Sequence, residues 1–439
     1  MRAICWNSVS TIGLLPFGLI GLGAQAARAA DIPLKAPAAP QLPPWQFTLD
    51  EDTRFYSWSG SRGFPAPGGA VAPGGSGAQL YMPFSLGVVG QTAPEHKWEF
   101  NVRSGFLWSQ QTTTNQAGQF TELTDTGLTG TYTYLGINGV QPYASLALNL
   151  PTGRSALLGA AVNGRLDPDL VGIGVSGEGF NVGPTLGVNV PVGESLMYGL
   201  AVGYTNRGPY NKDGLVNPAT FTPFLGTTSR FDPGDDVTVT ATVSYLQGPL
   251  SWRISADAAF ESNTNVTGTL NGAAFNGALL RAGDRYTVQS TTSYDWTKTW
   301  TSVLAAVYTH SNKNQVLVAD LPPIVTEMFN TNNDVFQVTL DNKFQVVPDV
   351  IAGPTVGYMY RNHNSWVSTN ALFVPAKTKW TAGGFFTYNV FKDFALNGRV
   401  EHYWINQNAS DLLAVGDGQR IPVVTDNGWL VSLGGTHTW

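Results

Sequence analysis

From Gln46 to the last residue, the chain is built of stretches of roughly ten to fifteen residues in which apolar and polar side chains alternate. In 97–109 (KWEFNVRSGFLWS), Trp98, Phe100, Val102, Phe106 and Trp108 fall on one face, and Lys97, Glu99, Asn101 and Arg103 on the other. A period of two predicts an extended strand rather than a helix. Further stretches repeat it. Leu250, Trp252, Ile254 and Phe260 oppose Arg253, Asp257 and Glu261; Tyr286, Val288, Tyr294 and Trp296 oppose Arg285, Gln289 and Asp295. Phe336, Val338, Leu340, Phe344 and Val346 oppose Gln337, Asp341, Lys343 and Gln345; Phe394, Leu396, Val400 and Trp404 oppose Asn397, Arg399, Glu401 and Gln407. A half-buried strand of a soluble sheet alternates in the same way. Repetition at about 9–11 residues per strand is what marks a membrane-spanning one.

About sixteen strands are predicted, with fourteen and eighteen open as alternatives: 46–58, 79–90, 97–109, 124–135, 140–150, 179–192, 195–207, 236–247, 250–261, 284–297, 299–311, 334–346, 349–362, 377–390, 394–407 and 428–439. The connections alternate strictly between short turns, such as 193–194, 248–249 and 347–348, and long loops, such as 151–178, 208–235 and 262–283. A transmembrane barrel sorts its loops this way, with short periplasmic turns and long external loops. A soluble sandwich has no reason to do so. The fold class expected is therefore all-β, a transmembrane antiparallel β-barrel.

Aromatic residues support the same reading. Trp98, Tyr198, Trp252, Trp296, Trp300, Phe344, Tyr388, Phe394 and Trp439 lie at the short-turn ends. Trp108, Tyr204, Phe260, Tyr286, Tyr308, Phe336, Tyr360, Trp380, Trp404 and Trp429 lie at the long-loop ends. Two such girdles suit rings placed at headgroup level on both sides of a bilayer. The last strand, GWLVSLGGTHTW, ends on an aromatic residue and resembles the terminal signal by which outer-membrane barrels are recognised for assembly. The barrel-assembly machinery is thus an expected partner, together with outer-membrane lipid and lipopolysaccharide.

Composition narrows the class. Charged residues are 12% of the chain, about half the share of an ordinary soluble domain, while aromatics are 12% and glycines number 50. The N-terminus reads as a secretory signal over 1–29: Arg2, an apolar run from Ile12 to Leu22, and the small-x-small site Ala27-Arg28-Ala29. A Pro/Ala-rich periplasmic tail, 30–45, and a barrel, 46–439, would follow. Removing 1–29 takes away two basic residues and no acid, leaving a net charge of about −8, which argues against nucleic-acid binding. The single cysteine, Cys5, lies inside the signal, so disulfides and cysteine metal sites are not expected.

No catalytic motif stands out, and neither an enzyme nor a cofactor is expected. The histidines His96, His310, His363, His402 and His437 show no metal-ligand spacing, and His310, His402 and His437 read as interfacial. The acidic turn around Asp232, Asp235 and Asp236 reads as a solvated loop ahead of a cation site. The site candidates are the inward charges. Glu99, Arg103, Arg253, Asp257, Arg285, Asp341, Lys343, Arg361, Arg399 and Glu401 are candidate pore-lining residues, with Asp295 beside them. They either line a wet pore, where charge sets selectivity, or pair with one another and fill the lumen; both readings stay open. Loops 151–178 and 208–235 are long enough to fold in and constrict a lumen of this size.

One region carries a family resemblance. LTDTGLTGTYTY (123–134), PYASLALNLPTGRS (142–155) and VGPTLGVNVPVGESLMYGLAVGYTNRG (182–208) resemble the outer-membrane transporter barrels associated with meta-pathway phenol degradation, which are similar in logic to the long-chain fatty-acid transporters. The matching positions are Asp125, Thr126, Leu128, Leu150, Pro151, Thr152, Gly153, Gly203, Tyr204 and Thr205, in about a fifth of the chain. The resemblance implies transport of hydrophobic or aromatic compounds. The function expected is an outer-membrane channel or transporter giving small molecules a passive path. The alternative is a structural or surface-interaction barrel with a plugged lumen and partner-binding external loops.

Overall fold

A computed structural model of the protein describes residues 45–61, 74–113, 116–171, 177–212, 229–270, 273–318, 321–370, 373–409 and 423–439. The expected signal sequence and all but the end of the expected tail lie outside the described residues. The strands are β1 (Trp45–Gly60), β2 (Gly75–Ala93), β3 (His96–Thr113), β4 (Gln116–Leu123), β5 (Thr126–Tyr134), β6 (Gln141–Leu150), β7 (Asn181–Val192), β8 (Leu196–Arg207), β9 (Tyr210–Lys212), β10 (Ser229–Asp232), β11 (Asp236–Gln247) and β12 (Leu250–Glu261). They continue with β13 (Thr264–Leu270), β14 (Ala273–Arg281), β15 (Arg285–Thr297), β16 (Trp300–Ser311), β17 (Gln315–Val318), β18 (Leu321–Thr326), β19 (Val335–Val347), β20 (Val350–Arg361), β21 (Lys377–Phe391), β22 (Phe394–Gln407) and β23 (Val424–Thr438).

Sixteen of these close into one antiparallel barrel. The order around it is β1, β2, β3, β5, β6, β7, β8, β11, β12, β15, β16, β19, β20, β21, β22 and β23, each paired with the next. The last strand returns to the first: β23 pairs with β1 from Thr438↔Thr48 to Asp426↔Gly60. Phe47 and Trp439 exchange two backbone hydrogen bonds of 2.9 and 3.0 Å at the lower end of this seam. The tight turns rely on residues that tolerate a left-handed backbone, such as Gly193 (φ 65°) and Gly248 (φ 56°).

Burial is inverted relative to a soluble domain. Leu186, Leu200, Val202, Leu304, Leu340, Val400 and Leu433 are exposed, whereas Gln79, Ser109, Thr355, Lys377, Glu401 and Asp426 are buried. The exposed apolar residues take the outward parity that the sequence assigns them. Trp296, Trp300, Trp404, Trp429 and Trp439 are exposed at the two ends of this outer face. Glu51, which accepts a hydrogen bond from Thr53, interrupts the apolar surface near the middle of β1.

Three departures from simple alternation position the site. First, the loops expected at 208–235, 262–283 and 312–333 carry strands of their own. β9, β10, β13, β14, β17 and β18 form a six-stranded antiparallel sheet that continues this sector of the wall beyond the barrel. Second, β3 is longer than its neighbour. Its lower half pairs with β5 and its upper half with β4, and the two partners are separated by a break at Thr124 and Asp125. Part of the expected external loop 110–123 is therefore the strand β4. Third, β6 stops at Leu150, opposite Thr126, so it reaches β5 but not β4.

The seam yields the first prediction. A Cβ on Gly434 would lie 2.3 Å from the Glu51 carbonyl oxygen, so the closing strands approach too closely there for a side chain. Gly434→Val should abolish the folded, heat-modifiable band on a gel. Gly435→Val, whose added carbon meets only the Phe394 ring at 3.1 Å, should retain it.

Candidate functional site: the lumen and its inward-folded loop

The loop after β6 starts at a polar knot. Asp125, sitting in the break between β4 and β5, accepts hydrogen bonds from Gly153 N (2.9 Å), Asn149 Nδ2 (2.6 Å) and Glu178 N (2.8 Å). It thereby holds the beginning and the end of the loop with one carboxylate. Thr152 Oγ1 donates to the Thr124 carbonyl at 2.8 Å and lies 2.9 Å from the Thr126 hydroxyl. The residues carrying the family resemblance, Asp125, Thr126, Thr152 and Gly153, are thus in mutual contact. Tyr210, on β9, packs against this root at Gly179, and burial, reinforced by the nearby Glu178 charge, pushes its phenol up.

From the knot the loop turns into the barrel. A 3-10 helix, Gly159–Gly164, lies on β4, and the buried Ser109 hydroxyl donates to the Gly164 carbonyl at 2.8 Å. The approach is backbone to backbone: a Cβ on Gly118 would fall 2.2 Å from the Ala160 carbonyl oxygen. Beyond the helix, Leu166, Leu170 and Val171 join Tyr56, Trp58, Tyr403 and Ile405 in a buried apolar cluster, with Leu430 against it. The four barrel members of the cluster belong to β1 and β22 and face inward. An apolar core therefore lies inside a membrane-type barrel, against the inner faces of β1 and β22.

The loop is also clasped electrostatically. Asp169 accepts from Arg361 Nη2 at 2.8 Å and from Lys377 Nζ at 2.6 Å, and Asp167 accepts from Lys377 at 3.1 Å. Lys379 Nζ donates to the Asp169 carbonyl at 2.7 Å and lies 4.6 Å from the centre of the Tyr403 ring. Asp169 and Lys377 are buried. A charge in such a position is tolerated only with its partners in place.

The inward charges named from the sequence divide into two groups. On β20 and β22, and at Asp341 of β19, they are paired. Arg399 bridges Asp341 (3.2 Å) and Glu401 (2.5 Å), with its guanidinium over the Phe385 ring, and Arg361 holds the loop. Elsewhere, Lys343 of β19 included, they are mostly not. Glu99 pairs only with its neighbour Lys97, at 2.8 Å, and Asp257 accepts from the Thr240 and Ser255 hydroxyls. Among the described residues, Arg103, Arg253, Arg285 and Lys343 form no ion pair. Asp295 accepts from Thr301.

Lys343 apart, these two groups lie on different walls. Registers across β5, β6, β7, β8 and β11 align small inward residues in rows: Thr129, Ala147 and Gly183; Thr131, Ser145, Thr185, Gly203 and Thr238; Ala201 and Thr240. Tyr143 and the buried Met197 are larger inward side chains here, and the Tyr143 ring lies over Gly187. One wall is thus small and hydroxyl-rich, with Arg253 on the adjoining strand. The opposite wall carries the loop, the apolar cluster and the paired charges.

Other candidates resolve locally. Asp235 spends its carboxylate on the Tyr204 hydroxyl, Asn206 Nδ2 and Arg207 N, and no metal-type cluster occurs among the described residues. His310 lies 2.6 Å from Asp334, His402 is packed between Trp404 and Trp429, and His437 lies tilted against Trp439. The sequence reading missed Asp167, Asp169, Lys377 and Lys379. The two lysines have the inward parity of a predicted strand, a signal that was there to be used; the two aspartates lie in a loop without period.

No protein-family model and no curated protein sequence matches the chain. Solved structures with partial likeness include an outer membrane channel from Pseudomonas putida F1, 14% identical over 63% of this chain and 92% of that one, with a TM-score of 0.36. A FadL homologue from Pseudomonas aeruginosa is 9% identical over 90% of both chains (TM-score 0.43). An anion-selective porin from Comamonas acidovorans is 12% identical over 90% of this chain and 98% of that one (TM-score 0.37).

The paired wall is predicted to be structural. Arg399→Ala strands two largely buried carboxylates and should cost about 3 kcal/mol in reversible urea unfolding from detergent or vesicles. Lys343→Ala, which breaks no pair, should change stability by less than about 0.5 kcal/mol.

Proposed function

We propose that the protein is an outer-membrane channel that gives small solutes, hydrophobic or aromatic compounds among them, a passive path across the membrane. The observation that carries this reading is the two-walled lumen. A barrel filled for strength alone would pack side chains from all round, whereas here most of the bulk lies on one side and the other is lined mainly by Thr, Ser, Ala and Gly, with Tyr143 among them. The apolar outer face bounded by aromatic residues suits insertion in a bilayer, with lipid at the lower girdle and lipopolysaccharide at the upper one. β23 is the strand the assembly machinery would read.

In this reading Glu99, Arg103, Arg253, Asp257, Arg285 and Lys343 face the solute path. Asp341, Arg361, Arg399 and Glu401 belong to the filled wall and shape the path indirectly. The task is transport rather than catalysis. The resemblance of the segments around Asp125 and Thr152 to phenol-degradation transporters points toward aromatic cargo.

The second reading, a plugged scaffold with partner-binding external loops, draws its support from the clasped loop and the outer sheet. Planar-bilayer conductance separates the two. The protein is expected to show discrete steps, and replacing 157–171 by a short Gly/Ser linker should raise the step size severalfold. Arg253→Ala should shift the reversal potential in a salt gradient toward cation preference. Silence of both the intact protein and the loop-shortened variant would leave the scaffold reading standing.

A further inference from the structure

The clasp has the form of an occupied binding site. Arg361 and Lys377 grip the two oxygens of one carboxylate, that of Asp169, from 2.8 and 2.6 Å. Lys379 adds a third cation, spending one hydrogen bond on the Asp169 carbonyl. Immediately beside this pocket, the next two residues of the loop, Leu170 and Val171, fill the apolar cleft of Tyr56, Trp58, Tyr403 and Ile405. The wall thus offers a cationic pocket that fits a carboxylate, joined to an aromatic-lined pocket that fits an apolar body. Both are filled by three consecutive loop residues, none of which belongs to the barrel.

We infer that Asp169–Leu170–Val171 is an internal surrogate for a ligand, a small organic monocarboxylate with an aromatic or branched body, and that such a ligand displaces the loop. The inference rests on the channel reading only for its effect on flux. The physical argument is one of exchange. Expelling the loop alone would leave Arg361, Lys377 and Lys379 clustered with only the Glu401 charge, already shared with Arg399, acting on Lys379, which opposes release. An incoming carboxylate offsets much of that opposition, because it takes over the grip of Asp169, the loop's second carboxylate, Asp167, being the more distant partner of Lys377. A neutral solute of the same shape enters the apolar half only and leaves the cost in place. The ligand therefore favours the displaced state by its differential affinity, as any population shift requires. Arg361 suits this role, since its planar guanidinium retains donors for a second carboxylate geometry.

The test uses the full-length protein in detergent, with benzoate as probe and benzyl alcohol as its neutral counterpart. Calorimetry reads binding, and amide exchange over 157–171 reads the loop. Benzoate is expected to bind and to speed exchange across that segment at least tenfold, with benzyl alcohol doing neither at equal concentration. Asp169→Ala, which removes the competitor, should bind benzoate at least tenfold more tightly. Lys377→Met should bind it at least tenfold more weakly, with the heat-modifiable band showing that both variants are folded. Absence of benzoate binding to Asp169→Ala overturns the inference, as does binding that leaves exchange unchanged or an equal response to benzyl alcohol. Conductance keeps the two proposals apart. If benzoate binds and frees the loop but no current flows, the channel reading fails and the site stands. If current flows regardless of benzoate and Asp169→Ala does not bind it, the site fails and the channel reading stands.

Discussion

In hydrocarbon a backbone N–H or C=O has no water to turn to, so every strand edge must find another strand. The return of β23 onto β1 meets that demand, and the remaining features follow from it. Once the wall is closed, its outer face must be apolar and its polar side chains must point inward. The inward space of sixteen strands is wider than their own side chains fill. What happens in that space is then decided by the one described loop that enters it.

That loop divides the lumen by using two kinds of interaction at once. Leu166, Leu170 and Val171 bury apolar surface against Tyr56, Trp58, Tyr403 and Ile405, while Asp167 and Asp169 neutralise Lys377 and Arg361. Neither set alone would define a position: apolar contacts lack direction, and ion pairs over a wet lumen are weak. Together they hold the loop to one wall. The knot at Asp125 fixes where it leaves the other, and the early end of β6 at Leu150 gives it room to turn in. The wall it leaves uncovered is the one whose inward residues are small.

The barrel was legible in the sequence because membrane strands carry their environment in every second residue. Trp98, Phe100 and Val102 against Glu99, Asn101 and Arg103 are enough to place β3 and its two faces. The sorting of short and long connections added direction. The inner structure was not legible in the same way. Arg361 and Lys377 meet Asp169 across about 200 positions of sequence, and nothing local to 165–171 announces which wall it will reach. The outer sheet escaped notice because β9, β10 and β17 are three or four residues long, too short for a period to show. The break at Thr124 and Asp125 was read as a strand start, which is correct for β5 but silent about β4 above it. Whether each charged candidate is paired depends on neighbours as far as three strands away, as Arg399 with Asp341 and Arg253 with none illustrate.

The apolar cluster within the lumen has a consequence for how the protein answers to its surroundings. Its outer surface is matched to lipid and can be satisfied equally by detergent tails, so the contacts there involve no expulsion of water. The inner cluster is different: Ile405 and Leu170 are hidden from water that would otherwise fill the lumen. It obeys the thermodynamics of a soluble core, with a heat capacity of its own and an attraction that weakens on cooling. The molecule therefore has two solvents, and temperature acts on its inside and its outside by separate laws. Cooling favours a looser loop in an unaltered barrel, a change that no choice of lipid would reverse.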